Sequence, residues 1–194
     1  MTQTSYRTVE AYHFDPGEGH SNHSDLPVLL YGGVLGTEDD LEAALKRVFS
    51  ENGWDDFHRR RVSNKNQFHL RSHEVLGVIE GSALLLLGGA AGKKIELCKN
   101  DLLLLPAGTA HRLIMGSSNF RAVSAVPEGQ EEDKLLNEGD FPAKYCLQVV
   151  QATPRPTTDP YFGHKGPLFD FWYDQPPLFS GRPEMSGGLP TEQS

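Results

Sequence analysis

The stretch "NQFHLRSHEVLGVIEG", Asn66 to Gly81, decides how this chain is read. It sets His69, His73 and Glu74 into an apolar run that closes on a glycine. Glutamate and histidine are rarely buried without partners, because stripping them of water is costly. If the run belongs to a core, those side chains must have something to hold.

Working outward, short segments rich in Val, Leu and Ile follow one another between Gly, Asn, Asp and Pro. "HEVLGVIEG", "SALLLLGG", "KKIELCKND", "LLLLPAG", "HRLIM" and "FRAVSAVPEG" give about six strands at close spacing, the pattern of an all-β sandwich or barrel. The leucine runs at 84–87 and 102–105 are too short and too closely flanked by Gly and Pro for helices. Phe68, Leu84, Leu86, Leu103, Leu105, Leu113 and Met115 are expected to line or pack the interior. Upstream, "LPVLLYGGVL" reads as a strand. "TEDDLEAALKRVFSENG" reads as a helix with Leu41, Ala44, Leu45, Val48 and Phe49 on one face, Thr37 as N-cap and Gly53 at its end.

The division expected is a polar N-terminal arm over 1–25 and a barrel with its preceding strand and helix over 26–128. A C-terminal extension over 129–178 and a disordered tail over 179–194 follow. The extension is proline-rich yet carries Phe162, Leu168, Phe169, Phe171 and Trp172, more aromatics than a disordered segment keeps, so it should wrap over the barrel.

The chain has 194 residues and a formal charge of −8, which argues against binding nucleic acid over a broad face. No apolar stretch is long enough to span a bilayer, and the N-terminus lacks the pattern of a signal peptide. Cys98 and Cys146 make no CxxC spacing. These features point to a cytoplasmic protein without membrane or nucleic-acid partners.

The spacing around the opening stretch carries more. His69 is followed by four residues, Glu74, six residues and Gly81; after 18 intervening residues come Asn100, five residues, Pro106-Ala107-Gly108, two residues and His111. This resembles the paired motifs of the cupins. With "DPYFGHKGPLFDFW" in the tail and "LPVLLY" and "NGW" near the front, it is similar to the small YjlB-like cupins over roughly residues 14–173. The resemblance implies a double-stranded β-helix, or jelly-roll barrel, with one helix in the N-terminal half and a homodimer as the expected assembly. It also implies a divalent metal held by His69, Glu74 and His111.

Three positions depart from that pattern: Gln67 stands where a histidine is expected, Asn100 where a glycine opens the second motif, and Met115 where an asparagine closes it. Without the third imidazole the donors are two histidines and a carboxylate, a set that suits non-haem Fe(II); Mn, Ni, Co and Zn remain open. Gln67 could serve as a weak fourth ligand, hold a metal-bound water or handle protons. His73, next to Glu74, should face the other way by strand alternation, which suits packing or support of the ligands from behind, with ligation only if the loop before Glu74 bulges and proton handling as its catalytic candidate role. In "HRRRV", period-two counting back from Gln67 turns Arg59 and Arg61 inward, where an arginine fork would bind a carboxylate. With Met115, they are candidate substrate contacts. The isolated His13, His20, His23, His58 and His164 are read as structural or surface residues.

The leading expectation is a metal-dependent enzyme acting on a small organic molecule, an acidic one if the arginines face inward, by an oxidative, dioxygenase-type reaction. A non-oxidative metal-dependent isomerase, cyclase, lyase or decarboxylase is the alternative. A small-molecule-binding barrel without catalysis is a third reading, since this fold hosts many chemistries.

Overall fold

A computed structural model describes residues 8–17, 21–36, 38–130 and 135–173. Its strands form two antiparallel sheets packed face to face. The first sheet runs in the order β1 (Thr8–Tyr12), β2 (Val28–Gly32), β8 (Leu102–Leu105), β5 (Glu74–Glu80), β10 (Arg121–Pro127), β3 (Trp54–Arg60). The second runs β11 (Leu136–Asn137), β4 (Gln67–Phe68), β9 (His111–Gly116), β6 (Ser82–Leu87), β7 (Lys93–Cys98). Sequence neighbours cross between sheets, as a jelly roll requires.

The six-stranded sheet is covered on both faces, which explains its unbroken apolar runs. Val28, Leu30, Leu76, Val78, Leu103 and Leu105 point into the barrel and meet Leu85, Leu87, Ile95 and Leu97. Leu29, Tyr31, Val75, Leu102, Leu104 and Val123 point outward beneath the first helix and the C-terminal segment. A strand buried on both sides has no polar face to alternate with, hence four consecutive leucines at 102–105.

Helix α1 (Leu41–Glu51) lays Leu41, Leu45 and Phe49 on that outer face. Asp40 caps it, accepting from the Ala43 amide at 3.0 Å; Thr37, the expected cap, lies outside the described residues. The close approach depends on Gly77, where a Cβ would stand 2.6 Å from Leu45 Cδ1.

The C-terminal segment closes the outer layer. Helix α2 (Ala143–Gln151) packs Cys146 and Val150 on Phe68, Leu70 and Ala107. Helix α3 (Leu168–Trp172) sends Leu168 and Trp172 into the outer cluster, and Trp172 Nε1 donates to the Pro27 carbonyl at 2.9 Å. Buried Asp159 ties the segment together by accepting from Tyr31 Oη at 2.8 Å and from the Tyr161, Phe162 and Leu168 amides.

Three sequence expectations need correction. Within the expected polar arm, residues 8–12 form edge strand β1, paired in register with β2. Along β6 the interior residues are Ala83, Leu85 and Leu87 rather than Leu84 and Leu86. Phe68 packs under α2 instead of lining the barrel. The stretch 179–194 lies outside the described residues.

The turn before His111 depends on Gly108, whose φ is +82° and whose amide donates to the His69 carbonyl at 2.7 Å. A Cβ there would lie 2.0 Å from the Ser21 carbonyl oxygen. Gly108→Ala is expected to destabilise the fold by at least about 2 kcal/mol, from backbone strain plus overpacking. Denaturant unfolding of the variant beside the parent checks this.

Candidate active site

Glu74 opens β5 and, by alternation, faces the barrel interior with Leu76 and Val78. His111 opens β9 just beyond the Gly108 turn, and Gln67 in β4 sits opposite it in register. His69 follows directly on β4. The side chains of His69, Glu74 and His111 are all buried, so the structure brings together the three residues that the motif spacing selects.

A fourth residue completes the group. Arg60, the last residue of β3, reaches in with only 8% of its side chain exposed. Its Nε donates to Glu74 Oε1 at 2.7 Å, and Nη2 lies 3.4 Å from His111 Nε2. His111 Nδ1 lies 3.0 Å from the Thr109 carbonyl, an oxygen that can only accept, so the proton sits on Nδ1. That leaves the Nε2 lone pair facing the guanidinium.

Glu74 Oε2 is the loose end. It lies 3.5 Å from His69 Nε2, an electrostatic contact, but makes no hydrogen bond. Burial pushes the Glu74 carboxyl toward its neutral form, yet the charges of His69, Arg60 and His111 and the Arg60 hydrogen bond outweigh this and hold it below its usual range. His111 is driven down to about 4, mainly by burial, with Glu74 opposing and Arg60 adding to the fall. Near neutral pH the site is therefore a carboxylate, a guanidinium and a neutral His111 imidazole.

Arg60 also lines a cleft of about 510 Å³, together with Arg59, Arg61, Val62, Ile79, Leu113, Phe120 and Arg121. Arg59 is paired with Glu42 and Arg121 with Glu80. Among the described residues Arg61 has no acidic partner. The cleft is thus cationic with an apolar wall, and Arg60 joins it to Glu74.

In kind, two imidazoles and a carboxylate suit a divalent ion, and the orphaned Glu74 Oε2 is a donor without a bond. In arrangement they do not: Arg60 engages Glu74 and His111. Among the described residues no three His, Cys, Asp or Glu side chains are grouped to hold an ion.

The other sequence candidates fall elsewhere. Gln67 donates to Asn137 Oδ1 at 3.2 Å, across to β11. His73 is fully buried on the far side of the strand: Nδ1 accepts from the Ala107 amide at 3.0 Å, Nε2 meets the Pro154 carbonyl at 3.1 Å, and the ring packs on Trp172. It joins the tail to the barrel and does not reach Glu74's side of the sheet. Met115 is 64% exposed, because a bulge in β9 lets Leu113 and Met115 pair with the adjacent Leu85 and Leu84 and reverses the alternation. Arg59 and Arg61 lie at the exposed rim and Arg60 points in. Counting from Gln67 fails because residues 61–66 are not strand and β3 itself is irregular, with Asp56 at φ +52° and a register shift against β10. Asn100, at the expected glycine, adopts φ +80°, a left-handed turn that asparagine tolerates.

No family model matches the chain. The chain is similar to the uncharacterized protein YjlB of Bacillus subtilis (strain 168), 29% identical over 167 residues, covering 86% of this chain and 98% of that one. The two-sheet strand order decides the fold. It is a jelly roll of the cupin type. Solved structures that resemble parts of this chain include a TDP-fucose-3,4-ketoisomerase from Campylobacter jejuni, at 14% identity and a TM-score of 0.37 over 50% of this chain and 74% of that one. A DUF861 family protein from Thermotoga maritima matches at 22% identity and a TM-score of 0.32 over 46% of this chain and 94% of that one. No described helix of the chain is long and apolar enough to cross a membrane.

Two outcomes follow. Arg60→Met should destabilise the protein by about 3–5 kcal/mol by leaving a buried carboxylate unpaired, and adding Glu74→Gln should recover much of that loss. Urea unfolding of the two variants and the parent measures it. Burial holds His73 down to about 3, against an ordinary value of 6.5. The unfolded chain therefore binds more protons between those values, and stability falls as pH drops through that window. Each such histidine contributes up to about 1.4 kcal/mol per pH unit. His73→Gln should flatten the slope of unfolding free energy against pH between pH 4 and pH 6, set about these values.

Proposed function

We propose that this cupin is an enzyme acting on a small organic acid by proton transfer, without oxidising it. The observation that carries the reading is Arg60, which lines the cationic cleft and ends between Glu74 and His111. An arginine fork is suited to a carboxylate, and Arg61 at the rim offers a second cation for the same anion. The apolar wall of Val62, Ile79, Leu113 and Phe120 would take the carbon skeleton.

Once an acid is held there, two atoms can handle a proton. His111 Nε2 carries a lone pair whose direction is fixed by the Nδ1 hydrogen bond to Thr109. Glu74 Oε2 is a desolvated carboxylate oxygen without a hydrogen bond, next to His69 Nε2. A base beside an arginine-bound carboxylate suits removal and return of a proton on the adjacent carbon, the step shared by isomerases and lyases.

The orphaned Oε2 also favours a second reading, in which Arg60 withdraws into the cleft and His69, Glu74 and His111 take a divalent ion, Fe(II) above Mn, Ni, Co or Zn, for oxidative chemistry.

Incubation in D2O with a panel of small hydroxy and keto acids separates these readings. Solvent deuterium appearing beside the carboxylate of one acid, by NMR, without oxygen uptake and lost in Glu74→Gln, is the expected result. Oxygen consumption linked to turnover transfers the case to the oxidative reading. Saturable binding with neither would mean a ligand-binding cupin without catalysis.

A further inference from the structure

We propose that Arg60 is the resident cation of this barrel: its guanidinium stands in for the divalent metal, and the site takes up a metal ion only when Arg60 is removed. The inference rests on the place of Arg60 in the site and not on the identity of the substrate.

Charge makes the first part of the argument. Glu74 is 2% exposed, and a carboxyl buried to that degree requires a donor within hydrogen-bonding distance. Arg60 Nε supplies it at 2.7 Å, and Nη1 is fixed at 3.1 Å from the Arg61 carbonyl. The head group is thus anchored at two of its nitrogens, and the residue lines the cleft. A guanidinium stays protonated at any physiological pH, so it cannot yield to an ion by losing its charge.

Geometry makes the second part. A metal ion sits about 2.0–2.2 Å from its imidazole and carboxylate donors. At this site Arg60 lies against a Glu74 oxygen and against the Nε2 lone pair of His111, two of the three donors an ion would need. An ion placed there would face a fixed positive charge at contact distance. The third imidazole that could offset the repulsion is missing, since Gln67 occupies that position and is bonded to Asn137. The missing imidazole and the inward arginine act in the same direction. One lowers the number of donors, and the other places a cation among those that remain.

The irregularity of β3 gives this arrangement its selectivity. Of the three consecutive arginines, only Arg60 points in, while Arg59 is held outside by Glu42.

The test is a Co(II) titration of chelator-treated protein, read by the visible absorption of protein-bound Co(II), with Zn(II) calorimetry alongside. The parent and Arg60→Lys should show weak binding. Arg60→Met should bind more tightly, on the order of 10- to 100-fold, and lose that gain when His111→Ala is added. Zn(II) should also raise the melting temperature of Arg60→Met more than that of the parent, because the ion replaces the missing charge. Should Arg60→Met fail to fold without metal, refolding with Zn(II) present gives the same readout. One equivalent of Co(II) bound by the parent, dependent on His111 and unaffected by Arg60→Met, overturns the proposal. So does an Arg60→Met variant that folds yet gains no affinity. Neither result requires a substrate, so the deuterium-exchange reading stands or falls separately.

Discussion

A carboxylate enclosed by an apolar barrel requires a cation beside it, and at Glu74 that cation comes from the same chain. Arg60 sits on the outermost strand of one sheet and Glu74 on an interior strand, so their pairing spans β10 and draws the edge toward the barrel interior. The Coulomb gain of such a pair offsets a large desolvation cost, and removing either partner exposes that cost in full. The positions of His69, His111 and the cleft wall follow from where this pair sits.

Around the pair, covering layers bury the sheet that carries it. The six-stranded sheet is enclosed by α1 and the C-terminal segment outside and by the second sheet inside. His73 illustrates the division of labour between neighbours. Glu74 faces the barrel with its charge intact, while His73 faces the tail as a neutral ring bonded to Ala107 and Pro154. One peptide bond separates a side chain of the interior site from one that joins the tail to the barrel, and strand alternation alone assigns the two faces.

Much of this was legible in the residues. The run of short strands, the helix and the tail that returns to the core could each be read from spacing and composition, and the motif brought His69, Glu74 and His111 together. What escaped was set by irregularity. A bulge in β9 moved Met115 to the surface, and the non-strand residues 61–66 broke the count that should have oriented "HRRRV". Periodicity carries orientation only while pairing is regular. Arg60 itself had a usable signal, though not a periodic one: a buried glutamate implies a nearby positive charge, and an arginine triplet lay upstream. The strands β1, β4 and β11 are short or polar and pair at edges, where composition says little.

The position of β3 has a consequence for motion. Edge strands ordinarily fray first, since only one side is hydrogen-bonded. In β3 both ends are tethered through side chains: Trp54 Nε1 donates to the Thr158 carbonyl at 3.1 Å, and Arg60 is held by Glu74. Peeling this strand means separating a buried ion pair and pulling an indole from its pocket. Its amides should therefore exchange with solvent in step with the central strands, which makes this edge strand part of the sheet's slowest-opening unit.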